Sequence, residues 1–174
     1  MNRRRLISLL CAASFAAGLG FGPHPARADE NAIAIVTMFY KVSAGKDGKY
    51  SGNSAYYQDK IRARYFSRAL RAAADALDKK AKEENGVGLD FDPVTDSQDP
   101  SVKDLKIAQD GESDGESAVK ASFSYEKGGA LKFVRYVFLR ENNAWKLDNM
   151  TSGPGEDGWD LRKLIKDELA APAN

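Results

Sequence analysis

The chain has 174 residues, of which 43% are hydrophobic and 29% charged, and its 26 basic residues nearly balance its 25 acidic ones. This length and composition indicate one globular domain and exclude a disordered or low-complexity chain. The only cysteine and the only histidine, Cys11 and His24, lie close to the N-terminus.

The first 28 residues have the three parts of a secretory signal peptide. Residues 3–5 are arginines, residues 6–21 are largely apolar, and residues 26–28 read Ala-Arg-Ala, the small-x-small pattern of a cleavage site. Serines and glycines interrupt the apolar stretch, which is short for a membrane span, so we expect cleavage rather than a stable anchor. Cys11 follows two leucines instead of the small residues that a lipidation site requires. We predict a periplasmic bacterial protein, exported by the Sec route rather than the twin-arginine route.

Cleavage would change both the charge and the chemistry of the remaining domain, residues 29–174. It removes four of the 26 basic residues and none of the 25 acidic ones, which leaves a net charge of −3. It also removes Cys11 and His24, which excludes Ser-His and Cys-His nucleophiles, disulfides, and metal sites built on thiolate or imidazole. We therefore expect no cofactor and no metal. Nucleic acid is a poor partner for an acidic chain without a dense basic patch.

Helices are predicted first along the chain. Apolar residues at helical spacing predict a buried helix over residues 30–44, then a mobile glycine-rich loop over residues 45–54. A long alanine-rich helix is predicted over residues 55–84, where Asn85-Gly86 ends it. The loop at residues 89–100 holds four aspartates and two prolines and is expected to be ordered without being a helix or a strand.

Beyond this loop the hydrophobic period changes to two, which is typical of strands. Gly128-Gly129 and Asn142-Asn143 read as turns between strands, and a glycine-rich break at residues 153–158 precedes an amphipathic helix at residues 159–169. The predicted strands cover residues 105–109, 119–125, 131–140 and 145–150. Helices followed by a meander predict an α+β domain with a curved antiparallel sheet of about four strands wrapped around the N-terminal helices.

Three sequence segments resemble a family of exported bacterial domains of unknown function. They are the Phe39-Tyr40 pair, the loop Asp90-Phe91-Asp92-Pro93 with Gln98-Asp99, and the closing Trp145-Lys146-Leu147-Asp148. The resemblance extends over about residues 32–169 and implies the nuclear transport factor 2-like, or cystatin-like, fold, a cone with a pocket between sheet and helices. Because this fold includes isomerases, dehydratases, cyclases and inert binding domains, the resemblance implies a fold and a compartment but no activity.

Arg135 is a charged residue on a side of the predicted sheet that is otherwise apolar. If the Asn142-Asn143 turn pairs residues whose numbers sum to 284, Arg135 faces Asn149 within an otherwise apolar side of the sheet. The apolar neighbours on that side are Leu131, Phe133, Val137, Leu139, Trp145 and Leu147. A buried guanidinium needs a carboxylate, so we expect Arg135 to pair with Asp92 or Asp99 and anchor the acidic loop. The alternative is that Arg135 lies at the rim of the sheet and reaches water.

Calcium binding is an alternative role for the acidic loop. Its aspartates are hard oxygen ligands, but the run lacks the glycine and the terminal glutamate of an EF-hand loop, so a capped turn is favoured. The residues predicted to bind a ligand or to anchor this loop are Tyr40, Asp90, Asp92, Gln98, Asp99, Arg135, Tyr136, Trp145 and Asp148.

The expected function is binding rather than catalysis. The ligand is expected to be a small apolar or amphipathic molecule in the cone, or a protein partner of the cell envelope. The alternatives are an enzyme of the isomerase or dehydratase type with a carboxylate base, and an inhibitor or immunity-type protein that uses the acidic loop as its contact. Val134, Tyr136 and Phe138 make the second face of the central strand apolar, which suggests either a homodimer through the sheet or cover by the C-terminal helix.

Overall fold

The computed structural model describes residues 30–45, 48–49, 53–99, 101–153 and 158–172, and within them the fold is α+β as predicted. The predicted signal peptide lies outside the described residues. The helices are α1 (Ala32–Ser43), α2 (Asp59–Tyr65), α3 (Arg68–Glu83) and α4 (Leu161–Ala170). The strands are β1 (Lys103–Ser113), β2 (Glu116–Ser124), β3 (Lys132–Glu141), β4 (Ala144–Ser152) and β5 (Trp159–Asp160). They form one antiparallel sheet in the order β1-β2-β3-β4-β5.

The long helix predicted over residues 55–84 is wrong, because the chain leaves helical geometry at Phe66. Phe66 is extended, with φ −82° and ψ 148°, and forms a bridge with Leu147 of β4. The next residue, Ser67, donates its backbone N–H to the Leu147 carbonyl at 2.7 Å and caps α3 by accepting the Leu70 N–H at 3.0 Å. A contact with a distant strand therefore divides one helical pattern into α2 and α3.

The predicted meander of four strands is confirmed, and a short fifth strand completes the sheet. Trp159 and Asp160, predicted as the start of the last helix, instead pair with Ser152 and Thr151 at the edge of β4. The helix begins at Leu161, two residues later than predicted, because the Asp160 carboxylate accepts the Lys163 N–H at 3.0 Å, as N-cap residues do. The predicted loops at residues 45–54 and 153–158 lie partly outside the described residues.

The predicted β3–β4 register is wrong by one residue at the turn. Asn142 and Asn143 both have positive φ, 52° and 61°, which suits a two-residue hairpin turn closed by Glu141 and Ala144. Trp145 therefore pairs with Arg140 rather than Leu139. A bulge in β4, opposite Val137 and Phe138, then sets Arg135 opposite Thr151. Because a shift of one residue exchanges the two faces of a strand, Trp145 and Leu147 lie on the face opposite Arg135.

The inner face of the sheet forms the hydrophobic core with all four helices. Tyr136 in β3 lies against Phe39 and Tyr40 of α1, with ring centroids 6.3 and 6.4 Å apart. The apolar face of Val134, Tyr136 and Phe138 is thus fully buried by the protein's own helices. It offers no surface for the predicted homodimer, and α1 rather than the C-terminal helix lies across it.

Within the described ranges, no helix has the length and apolar character needed to cross a bilayer.

Candidate functional site

The acidic loop of residues 89–99 is tied to the sheet and helices by tyrosine hydroxyls. Tyr136 donates to the Val94 carbonyl at 3.1 Å, and Tyr57 lies 3.0 Å from the carbonyl oxygens of both Leu89 and Phe91. Tyr125 donates to the Asp96 carbonyl. Burial raises the pKa of Tyr125 to about 12 and that of Tyr136 further, so both hydroxyls stay protonated and keep donating.

Asp92 lies at the centre of this loop and is buried, with 6% of its surface exposed. Its carboxylate accepts hydrogen bonds from the Ser54 hydroxyl at 2.6 Å, the Val94 N–H at 2.9 Å and the Thr95 hydroxyl at 3.1 Å. Burial raises the pKa of Asp92, and these three hydrogen bonds oppose the rise. Because the protein's own donors occupy the carboxylate, Asp92 acts as a structural anchor of the loop.

Tyr40 reaches the same region from α1. Burial raises its pKa, and its hydroxyl lies near that of Tyr136 but meets no partner in hydrogen-bonding geometry among the described residues. Tyr40, Asp92 and Tyr136 are therefore the three predicted site residues that the fold brings together. They form a packed junction, since each is at most 6% exposed.

The other predicted residues do not join this cluster. Asp90, Gln98 and Asp99 are exposed on the loop surface. Arg135 pairs with Asp110 of β1, with 2.7 Å between Nε and Oδ2. The predicted pair of Arg135 with Asp92 or Asp99 is wrong because the corrected register places the guanidinium on the outer face.

Asp148 has a structural role at the edge of β4. It accepts the Ser67 hydroxyl at 2.6 Å, and both of its oxygens lie 2.8 Å from Nη1 of Arg162. The carboxylate therefore joins the start of α3 to the start of α4.

Sequence reasoning missed two polar residues that hold the fold together. Asp96 accepts the Trp159 indole N–H at 2.6 Å and the Ser152 hydroxyl at 3.1 Å, partners that lie more than fifty positions away. Arg62 is 1% exposed, donates to the Tyr56 carbonyl at 2.6 Å and pairs with Asp78. The sequence did contain a signal that Arg62 is buried: it lies between Ile61 and Tyr65 on the predicted buried stripe of the helix.

An open groove of about 390 Å³ lies at the opposite end of the sheet from the acidic loop, beside the two hairpin turns. Its lining residues are Asn31, Ala32, Ile33, Gln109, Glu112, Ser117, Arg140 and Trp145. The start of α1 forms one wall, and the ends of β1 to β4 form the others. Of the nine predicted site residues, Trp145 is the one that lines this groove.

The groove combines a cation, neutral polar groups and an apolar floor. The Arg140 guanidinium carbon lies 4.4 Å from the ring centroid of Trp145, and its Nη1 donates to the Asn143 carbonyl at 3.0 Å. The Gln109 amide donates to the buried Ser117 hydroxyl at 2.8 Å. Stacking on Trp145 fixes the position of the guanidinium, so its charge is presented in a defined direction.

The first turn of α1 adds to the positive potential of the groove. Asn31 caps the helix by accepting the Ala34 N–H at 2.8 Å, and the positive end of the helix dipole lies at Ala32 and Ile33. The Glu112 carboxylate at the rim adds one opposing charge. The arrangement suits an anionic group held near Arg140, with an apolar portion against Ile33 and Trp145.

Comparison with protein-family models, with curated proteins and with solved structures finds no match. Among the described residues there is also no group of three or more acidic, histidine or cysteine side chains placed to hold a metal ion.

Proposed function

We propose that the protein is a periplasmic binding domain that is not an enzyme, and that its ligand is a small amphipathic anion held in the groove at Arg140 and Trp145. The observation that carries this proposal is that side chains fill the interior between the sheet and the helices, whereas the groove at Arg140 and Trp145 is open. The aromatic side chains packed between α1 and the sheet are each at most 2% exposed; they are Phe39, Tyr40, Phe123, Tyr136 and Phe138. The groove is therefore a better binding site than the interior.

The shape proposed for the domain is the cone of the nuclear transport factor 2-like fold. Three features support it: a meander with α1 across its inner face, β-bulges in β1 and β4, and helices confined to one side of the sheet. Bulges increase strand twist and bend a sheet around what it encloses. In this proposal aromatic side chains fill the cone and the ligand lies at its open end.

The contacts of Asp92 favour binding over catalysis. A carboxylate base needs a free oxygen facing the substrate, whereas the oxygens of Asp92 accept three hydrogen bonds from the chain. The inhibitor alternative needs an exposed acidic ridge. In the loop, Asp90 and Asp99 are exposed but Asp92 is buried, which favours the groove over the loop as the contact surface.

The test is calorimetric titration with dodecanoate, an amphipathic anion, and with dodecylammonium, a cation of the same chain length. We expect the wild-type protein to bind dodecanoate and Arg140→Met to bind it about 10- to 100-fold more weakly, because a charge-assisted hydrogen bond contributes about 1.5–3 kcal/mol. Methionine keeps an apolar side chain over Trp145. The control is Arg71→Met, which removes an exposed arginine from α3 and is expected to bind like the wild type. Equal binding of both amphiphiles, or an unchanged affinity in Arg140→Met, would overturn the proposal.

A further inference from the structure

The outer face of the sheet is a second surface with a distinct pattern. The helices contribute to the core on the inner face, whereas the outward residues of β3, namely Phe133, Arg135, Val137 and Leu139, are all partly exposed. Phe133, Val137 and Leu139 form the apolar part of this face, together with Ala118 of β2, which pairs with Val137. A sheet face of this kind is commonly buried against another sheet.

Charge is divided between the two ends of this outer face. Lys106 is exposed at the end nearer the acidic loop, and Glu116 is exposed at the hairpin end. Lys120 lies in the middle of β2, but its Nζ is directed toward the same end as Lys106, 5.7 Å from the ring centroid of Phe133. Lys120 lies directly opposite Arg135 on the neighbouring strand, but Arg135 is neutralised by Asp110. One end of the face is therefore basic and the other acidic.

A third lysine, Lys146, lies opposite Leu139 near the acidic end. Its ammonium group is directed away from the outer face, because Nζ donates to the Arg64 carbonyl of α2. Lys146 therefore adds no positive charge to the acidic end of the outer face.

Lys106 and Glu116 are equally distant from Val119 of β2 when measured along the strand. Lys106 pairs with Ser122, which lies three residues beyond Val119, and Glu116 lies three residues before it. At about 3.3 Å per residue, each charge is about 10 Å from Val119 along the strand. A two-fold axis that passes over Val119, parallel to the outer face and perpendicular to the strands, would bring Glu116 of each copy close to Lys106 of the other.

The geometry points to a homodimer in which two copies pack their outer sheet faces together about this axis. The charges are self-complementary, as an interface that uses the same patch on both copies requires. Four strands about 4.8 Å apart and about 30 Å long present on the order of 600 Å² per copy. A total of about 1,200 Å² is at the lower limit for specific interfaces, so the dimer is weak and sensitive to salt.

Sedimentation velocity on the exported protein between about 10 and about 200 µM tests this inference. We expect the weight-average mass to rise toward that of a dimer at low salt. Lys106→Glu and Glu116→Lys should each weaken self-association by at least about tenfold, because each creates two like-charge contacts. A mixture of the two variants should associate again, since every Glu–Lys contact is restored between unlike copies. The control Lys166→Glu alters an exposed residue of α4 and should behave like the wild type.

Three outcomes would overturn the dimer: a wild-type protein that stays monomeric throughout this range, a dimer unaffected by Lys106→Glu, or a mixture no more associated than its components. All the altered side chains are exposed, so the variants are expected to fold, and circular dichroism checks this. The double variant Lys106→Glu/Glu116→Lys should regain self-association. The dodecanoate titration addresses a different surface, so the two proposals fail independently.

Discussion

Replacing Asp92 by alanine tests whether the acidic loop is a structural anchor. The substitution removes the acceptor of three donors, on Ser54, Val94 and Thr95, all of which are at most 4% exposed. An unpaired buried donor costs about 1–3 kcal/mol. The Val94 N–H is fixed by the backbone and stays unpaired, whereas the two hydroxyls can rotate to other acceptors. Removal of a buried, poorly solvated carboxylate also stabilises the folded state and offsets part of the destabilisation. We therefore expect a destabilisation of about 3 kcal/mol, toward the low end of the summed range.

Urea unfolding followed by circular dichroism measures this change, and a scan of thermal unfolding should show Tm lower by roughly 6–12 °C. The matched control is Asp90→Ala, two positions earlier in the loop, where the aspartate is exposed. It should stay within about 0.5 kcal/mol of the wild type. If Asp92→Ala were as stable as the wild type, or Asp90→Ala equally damaging, the reasoning about buried donors would be refuted.

Two further predictions concern a helix cap and pH. Ser67→Ala should lower the free energy of unfolding by about 2 kcal/mol, because it removes the cap on the Leu70 N–H and the hydrogen bond to Asp148; an unchanged urea midpoint would contradict this. The raised pKa of Asp92 means that its carboxyl group binds a proton more tightly in the folded state than in the unfolded state. The stabilisation that results from this difference is therefore fully present below the ordinary aspartate pKa. The stability of the wild type relative to Asp92→Asn should therefore fall as pH rises from about 4 through the folded-state pKa, as urea titrations at a series of pH values would reveal, and a relative stability that increases with pH would be inconsistent with a desolvated carboxylate.

The sequence predicted the elements whose signals are local. The period-two pattern of residues 119–125 and 131–140, with the Asn142-Asn143 turn, located the central strands, and the N-terminal helix was placed within two residues of α1. The break at Phe66 was missed because its cause, Leu147, lies 81 residues further along the chain. Helical propensity alone continues through such a position, and tertiary contacts decide otherwise.

The candidate site was predicted less well because it depends on register. One residue of error at the hairpin reversed the faces of Trp145 and Arg135, so an ion pair expected in the interior formed with Asp110 outside. The same alternation, read correctly, places Arg140 on the face of Tyr136 and Phe138. Arg140 would then have been a candidate beside Trp145 from the sequence alone.

The sequence identified the aspartates of the acidic loop but did not indicate which of them is buried. Asp90 and Asp92 lie two residues apart in the Asp-Phe-Asp-Pro run, yet Asp90 is exposed and Asp92 is buried. The difference arises from Ser54 and from Tyr136, which reach the loop from elsewhere in the fold. Burial of this kind is set by tertiary structure.

The binding proposal is tested most directly by nuclear magnetic resonance of the two tryptophans in the chain, Trp145 in the groove and Trp159 beside the acidic loop. Their indole N–H signals can be assigned with Trp145→Phe and Trp159→Phe and followed while dodecanoate is added. The proposal predicts that the Trp145 signal shifts progressively to saturation and that the Trp159 signal stays in place. A stationary Trp145 signal, or a Trp159 signal that moves instead, would contradict it.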